Sequence, residues 1–187
     1  MSTKQKLLQL ESILIKKNAP VIKHFNPGLS QEEVISFLAS QGIPAIPSLV
    51  ALYEWHNGVK TVYGFLDAEL ELLPFGKLFN LEEMVQMRAT FVDWAEDYFD
   101  RTDNYIPFLG SGESDMFLLD LTTQEVLAFQ PMIQTFGERM FRSIDSMLDC
   151  IMECFEKGAF TIVPEKGLEK DFEAYWQIME KHLAQEK

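Results

Sequence analysis

Apolar residues along the chain recur with two different periods, and the switches between them mark the elements. Leu7, Leu10 and Leu14 recur at intervals of three and four, which predicts an amphipathic helix over residues 4–17. The stretch 18–29 reads as a loop. Ser30 then opens a second helix. Ser30 and Glu33 form a capping-box pair, in which the serine hydroxyl accepts the Glu33 N–H and the glutamate reaches back to the serine backbone. Val34, Phe37 and Leu38 give that helix its apolar stripe, and Gly42 and Pro44 end it. Pro47 can start a third helix, because the first turn has no use for proline's missing N–H. Leu49, Leu52, Tyr53 and His56 continue the helical spacing. Asn57-Gly58 is a strong hairpin-turn pair. Here it follows a helical period, so the spacing predicts a helix C-cap with Gly58 in the left-handed conformation.

Farther on, residues 59–65 and 70–75 have strand character. Residues 81–100 form the clearest amphipathic pattern in the chain. Met84, Met87, Phe91, Ala95 and Tyr98 share one face, and Glu82, Asp93, Glu96, Asp97 and Asp100 the other. Three strands follow at 106–109, 116–121 and 126–129, the last two joined by a polar turn and so paired antiparallel. Helices are predicted at 143–156, stopped by Gly158, and at 165–184. Strands cluster centrally and helices sit at both ends. That order predicts an α+β fold, with an antiparallel-rich sheet covered by helices on one face or at its edges, and not a doubly wound α/β fold.

With 47% hydrophobic residues and 15 phenylalanines among 187, the chain can bury a sizeable core. No apolar run approaches the ~18 residues that cross a bilayer. The first residues lack the compact apolar segment and cleavage site of a signal peptide, so a cytoplasmic protein is expected. A net charge of −13 disfavours nucleic acid, whose phosphates call for basic residues, and also an anionic membrane. A basic protein would be attracted, and such attraction mainly speeds encounter. Cys150 and Cys154 lie one helical turn apart, a poor geometry for a disulfide, and read as buried free thiols.

Little in the chain carries catalytic chemistry. There is no phosphate-binding glycine loop of the Walker or dinucleotide type. The glycine-rich stretch 110–115 runs into a strand, so it offers no helix N-terminus to a phosphate. Glu113 and Asp115 could form an acid/base pair, although aspartate in such a loop more often bonds its own backbone in a turn. His24, His56 and His182 are scattered without metal-ligand spacing, and His56 suits a helix C-terminus, where a cation meets the helix dipole. No cofactor and no metal are expected. The most suggestive surface is the acidic face at Asp93, Glu96, Asp97 and Asp100, with Trp94 as an aromatic anchor beside it. A solvated helix face with no partner is the competing reading.

Taken in order, several segments resemble the SUKH superfamily, the Smi/Knr-type domain. They are the helix capped by Ser30, then Ile46-Pro47-Ser48-Leu49, Leu52-Tyr53, Asn57-Gly58, Gly64-Phe65 and Leu73-Pro74-Phe75. After the acidic helix come Ile106-Pro107-Phe108, the loop from Gly112 to Asp115, and Phe117-Leu118-Leu119-Asp120-Leu121. A strand with Val126 and a late amphipathic helix complete the series, which covers approximately residues 30–155. Ser114 stands where the family usually has a glycine before the acidic residue. Pro47, Tyr53, Asn57, Gly58, Pro107, Gly112 and Asp115 are the motif positions, expected to be structural.

The resemblance implies one α+β domain over 1–187, with residues 1–29 and 156–187 as additions to its core. It implies no catalysis. Bacterial members bind and neutralise toxins, often nucleases, and fungal members regulate cell-wall synthesis through protein contacts. The expected role is an immunity protein that meets a basic toxin domain through its acidic surface, as a monomer or homodimer. A regulatory or scaffold protein without a toxin is the alternative. A small hydrolase using Glu113 and Asp115, with His56 nearby, is a third reading.

Overall fold

The computed structural model describes residues 1–60, 67–74, 76–95, 99, 102–111, 115–130 and 135–184. Helix α1 (Thr3–Lys16) leads through a 3-10 turn (Pro20–Lys23) into strand β1 (Phe25–Pro27). Helices α2 (Gln31–Ser40) and α3 (Pro47–Trp55), strand β2 (His56–Val59), a single turn α4 (Asp67–Leu70) and strand β3 (Lys77–Leu78) follow. Helix α5 (Leu81–Ala95) precedes β4 (Tyr105–Gly110), β5 (Met116–Asp120), β6 (Val126–Gln130) and β7 (Thr135–Phe141). The chain closes with α6 (Ile144–Lys157), the hairpin β8 (Phe160–Val163) and β9 (Gly167–Lys170), and α7 (Phe172–Ala184). The fold is α+β, with a five-stranded antiparallel sheet in the order β3-β4-β5-β6-β7 and helices packed against it.

Every residue of β5 and β6 is buried. Side chains alternate across a strand, so both faces of this sheet must be covered. Met116, Leu118, Leu127 and Phe129 point toward α5 and pack with Phe91 and Ala95. Phe117, Leu119, Val126 and Ala128 point the other way, into a core shared with α1, α3, α6 and α7. The helices therefore lie on both faces of the sheet, not on one face or at its edges. That second core runs from Leu7 to Met179, so the terminal helices and the middle of the chain bury one continuous apolar cluster.

Several predicted elements stand. Ser30 caps α2 with the reciprocal capping box, Pro47 is the first residue of α3, and Gly158 ends α6 at φ +79°. The capping box at Ser2 and Gln5 starts α1 in the same way. Other predictions change. Asn57-Gly58 is neither a helix C-cap nor a hairpin turn. Helix α3 ends at Trp55, His56 is already extended, and residues 56–59 pair with β1, inside the stretch that reads as a loop. Residues 70–74 are not a strand. They hold the end of α4 and a tight turn in which the Gly76 N–H donates to the Leu73 carbonyl at 3.0 Å. Strand β7 carries Gly137 at φ +82° and exposed Glu138 and Arg139, residues that strands disfavour, and it forms the sheet edge where charge is tolerated. The last helix begins at Phe172 and not at 165, because residues 167–170 pair with β8 and Asp171 accepts the Ala174 N–H as an N-cap. Of the strand predicted at 59–65, Val59 is the last residue of β2, and residues 61–65 lie outside the described residues.

Charged clamps hold the terminal helices to this core. Lys6 on α1 donates to Asp149 of α6 at 2.6 Å. Glu153 of α6, only 14% exposed, pairs with Lys157 of its own helix at 2.6 Å and with Lys181 and His182 of α7, each at 2.8 Å. Lys157 first, then Lys181 and His182, hold the Glu153 carboxyl down at about 2 against the opposing effect of burial.

Two outcomes follow. The depressed Glu153 value makes its contribution complete above the ordinary carboxylate range and removes it as pH falls toward about 2. Thermal melts of wild type and Glu153→Gln should differ by a constant amount between about pH 6 and 8 and converge between about pH 5 and 2. At Gly58, φ is +76° and an added Cβ would lie 2.2 Å from the Asn80 backbone nitrogen. Gly58→Ala should destabilise by at least about 2 kcal/mol in urea denaturation, the left-handed strain and the clash acting together.

Candidate functional site

The acidic helix is set in place by the stretch before it. Asn80 caps α5: its side-chain oxygen accepts the Glu83 N–H at 2.8 Å, and its own N–H donates to Glu83 at 3.0 Å. One more of the free N–H groups at the helix start, that of Leu81, donates to the side-chain oxygen of Asn57 at 3.0 Å. The Asn57 carbonyl in turn accepts from Asn26 on β1, at 2.9 Å. Gly58 lets the β2 backbone lie directly on Asn80, where no side chain fits. Asn57 and Gly58 thus dock the first turn of α5 onto the small β1–β2 sheet.

Below that turn, Met84 accepts a hydrogen bond from the fully buried Tyr53 hydroxyl at 3.4 Å. Burial first, and then the Glu83 charge, push the Tyr53 phenol far above its ordinary value, so it stays a neutral donor. Phe91 meets Phe129 edge-on at 5.2 Å between ring centres and Phe99 at 5.3 Å. The inner face of α5 is therefore fixed by close packing, and its outer face is presented without freedom to roll.

Glu82, Gln86, Ala89, Asp93 and Trp94 line that outer face. Trp94 is 48% exposed, unusual for an indole. On the side of α5 away from Trp94 lies a shallow depression of about 460 Å³ lined by Val85, Arg88, Ala89, Val92, Asp93 and Asp103. Arg88 donates to the Asp103 carbonyl at 2.7 Å, which ties the helix to the 3-10 turn at Thr102–Asn104. Asp93 and Trp94, neighbours in sequence, are both exposed on α5 and point about 100° apart around it. Glu96, Asp97 and Asp100, predicted to extend it, lie outside the described residues, as do Gly112 and Glu113.

The remaining motif positions sit inside the frame. Pro47 opens α3, and Pro107 is buried in β4 where the pairing with β5 shifts register. A proline there cannot donate to the ladder, which suits a bulge. The Asp115 carbonyl accepts the Ser111 N–H at 3.0 Å and closes the β4–β5 connection. His56 sits at the end of α3, but its ring is engaged elsewhere: Nδ1 lies 3.1 Å from the Asn26 carbonyl, Nε2 lies 3.2 Å from Glu11, and the ring stacks on Phe25. Cys150 and Cys154 are buried and free. Their mutual hydrogen bond, and then burial, push the Cys150 thiol up, away from nucleophilic or ligating chemistry. Among the described residues, no group of three His, Cys, Asp or Glu side chains could hold a metal ion, and no helix is long and apolar enough to cross a membrane.

Reasoning from sequence missed the Asn80–Glu83 cap, although an Asn followed by Glu three residues later before an apolar run is such a signal. It also missed that Asn57 acts on a helix 24 residues away. No family model matches the chain, and no curated protein matches it.

This geometry makes the α5 start sensitive to distant residues. Asn80→Ala should cost about 1–2 kcal/mol, and Asn57→Ala about 1 kcal/mol, by urea denaturation. In both variants hydrogen exchange should quicken first at the amides of the opening turn of α5, which checks that the loss is local.

Proposed function

We propose that the chain is a non-catalytic protein-binding domain of the SUKH type, an immunity protein that docks a basic toxin domain on the outer face of α5. The observation that carries this reading is the exposed pair Asp93 and Trp94 on a helix whose inner face and first turn are locked. A large aromatic held rigidly at the surface loses little conformational entropy on binding and is a common energetic centre of interfaces. The surrounding charge supports the same reading. A −13 chain attracts a basic partner over distances of about a Debye length and disfavours acidic ones. A toxin that grips phosphates carries such a basic surface. Glu96, Asp97 and Asp100 follow Asp93 in sequence and add to the acidic character of this segment.

The family assignment rests on the order of its motifs, and the roles of Asn57, Gly58 and Tyr53 in seating α5 give those motifs a physical reason to occur together. The hydrolase reading has less support. His56 is committed to Glu11 and Asn26.

The test is co-purification from the native host, followed by titration of the captured partner against variants. Trp94→Ala should weaken binding by at least about 2 kcal/mol, roughly 30-fold. Asp93→Lys with Glu96, Asp97 and Asp100 also reversed should slow association and flatten its salt dependence while leaving the melting profile near wild type. Undiminished affinity at low salt in both variants removes α5 from the interface. A partner that is not a toxin, bound through the same face, favours the regulatory alternative.

A further inference from the structure

We propose that the cavity between the end of α1, the 3-10 turn at Pro20–Lys23, α4 and the β8–β9 turn binds a small zwitterion with an apolar body, the chemistry shared by a free apolar amino acid and a dipeptide. The inference is independent of the role given to α5, because it concerns other elements and a ligand of no net charge.

The cavity holds about 500 Å³, within the ~300–1,000 Å³ common for small-molecule sites. Ile15, Ala19, Pro20 and Ile22 give it an apolar wall, and Ile15 is an exposed aliphatic side chain within it. Segments distant in sequence meet here, and each is held in place. The Asn18 N–H donates to the Ile15 carbonyl at 3.0 Å and the Ala19 N–H to the Leu14 carbonyl at 2.9 Å, which turns the chain out of α1. Helix α4 and the β8–β9 hairpin are likewise locked together. Lys170 of β9 pairs at 2.5 Å with the buried Glu71, which directly follows α4. Gly167 lies so close to α4 that an added Cβ would fall 2.3 Å from the Ala68 carbonyl oxygen. The walls are therefore preformed, and a ligand need not order them.

Charges of both signs accompany the apolar wall, at Lys23 and Glu165, together with the Asn18 amide. Among the described residues neither Lys23 nor Glu165 has an ion-pair partner, and the two do not pair with each other although they line one cavity. His24 and Glu69 also line it and are already engaged, so no contact is assigned to them. Of the three non-glycine residues at positive φ among the described residues, two line this cavity, Asn18 at +55° and Glu165 at +64°. Asparagine adopts that conformation readily, and glutamate does not. Such strain collects at ligand clamps, so a glutamate where glycine would be unstrained is there for its carboxylate. Charge then defines the ligand. Lys23 disfavours a simple organic cation, and Glu165 disfavours a simple anion. A zwitterion satisfies both, and its neutrality leaves it indifferent to the chain's net charge of −13. The apolar wall favours a zwitterion that carries an aliphatic body.

The probes are leucine and the dipeptide leucyl-leucine, each titrated by calorimetry into the full chain. At least one should bind saturably and one-to-one, with a Kd below about 1 mM. Isoamylamine lacks the carboxylate, isocaproate lacks the amine, and glycine lacks the apolar body. Each should bind at least about tenfold more weakly than the better probe. Binding of the amino acid without the dipeptide, or the reverse, identifies the source, and either result supports the proposal. Lys23→Gln and Glu165→Gln should each lower affinity at least about tenfold while melting as wild type does. Glu165→Gly relieves the left-handed strain, so it should melt no lower than wild type and yet bind at least about tenfold more weakly. A glutamate with only a structural role would not give that pair of results. In amide NMR spectra the shifts induced by the probe should centre on the end of α1 and the β8–β9 turn. No saturable heat with either probe, an analogue bound as tightly as the probes, affinity unchanged in any of the three variants, or shifts centred on α5 would each overturn the proposal.

Discussion

The five-stranded sheet has no face to spare. With β5 and β6 buried along their whole length, each strand sends alternate side chains into two separate apolar layers, and neither layer tolerates water. The larger layer is filled by helices from both ends of the chain. The smaller depends on α5, which brings Phe91 and Ala95 down on Met116, Leu118, Leu127 and Phe129. Burying an aromatic of this size is worth about 2–3 kcal/mol, and Phe91 shares its contacts with Phe99, Tyr105 and Phe129. Helix α5 is therefore required by the sheet, and its orientation is fixed by what lies beneath it.

A helix held in this way has an outer face whose chemistry is free to serve recognition. Its inner positions answer to the sheet and its first turn answers to Asn57, Gly58 and Asn80. Asp93 and Trp94 answer to neither. In that reading the fold contributes rigidity and the exposed residues contribute selectivity.

Local signals carried much of the architecture. Capping at Ser30, the proline at the head of α3, the left-handed glycine after α6, and the apolar period of α5 each depend on residues within four positions of one another. The paired strands β5 and β6 were legible because both are uniformly apolar and a polar turn joins them. The losses have one physical origin. Strand β2 lies beside β1 because Phe25 and Val59 meet across more than thirty residues, and nothing local to Asn57-Gly58 says so. Strand β7 carried no strand prediction because a glycine and two charged residues interrupt it, yet ladder bonds to β6 hold it at the edge. Strand β9 was absorbed into the final helix because Leu168 happens to fall in phase with Phe172 and Tyr175. For the candidate site, the exposed residues of α5 were legible from its amphipathic period, whereas the devices that fix its position were not.

What the sequence by itself determined was the inventory of elements with strong local period, the α+β class, the acidic balance, and the polar face that holds Asp93 with Trp94 at its border. These follow from short-range physics: helix caps, side-chain alternation and composition act between neighbours or on the chain as a whole. The tertiary structure alone decided that the sheet is covered on both sides, that Asn57 caps a helix it precedes by a long interval, and that Gly58 must lack a side chain because the Asn80 backbone occupies its space. Those facts depend on which distant segments come within van der Waals contact. A one-dimensional pattern states what a residue can do beside its neighbours, and only the packed chain states which neighbours it has.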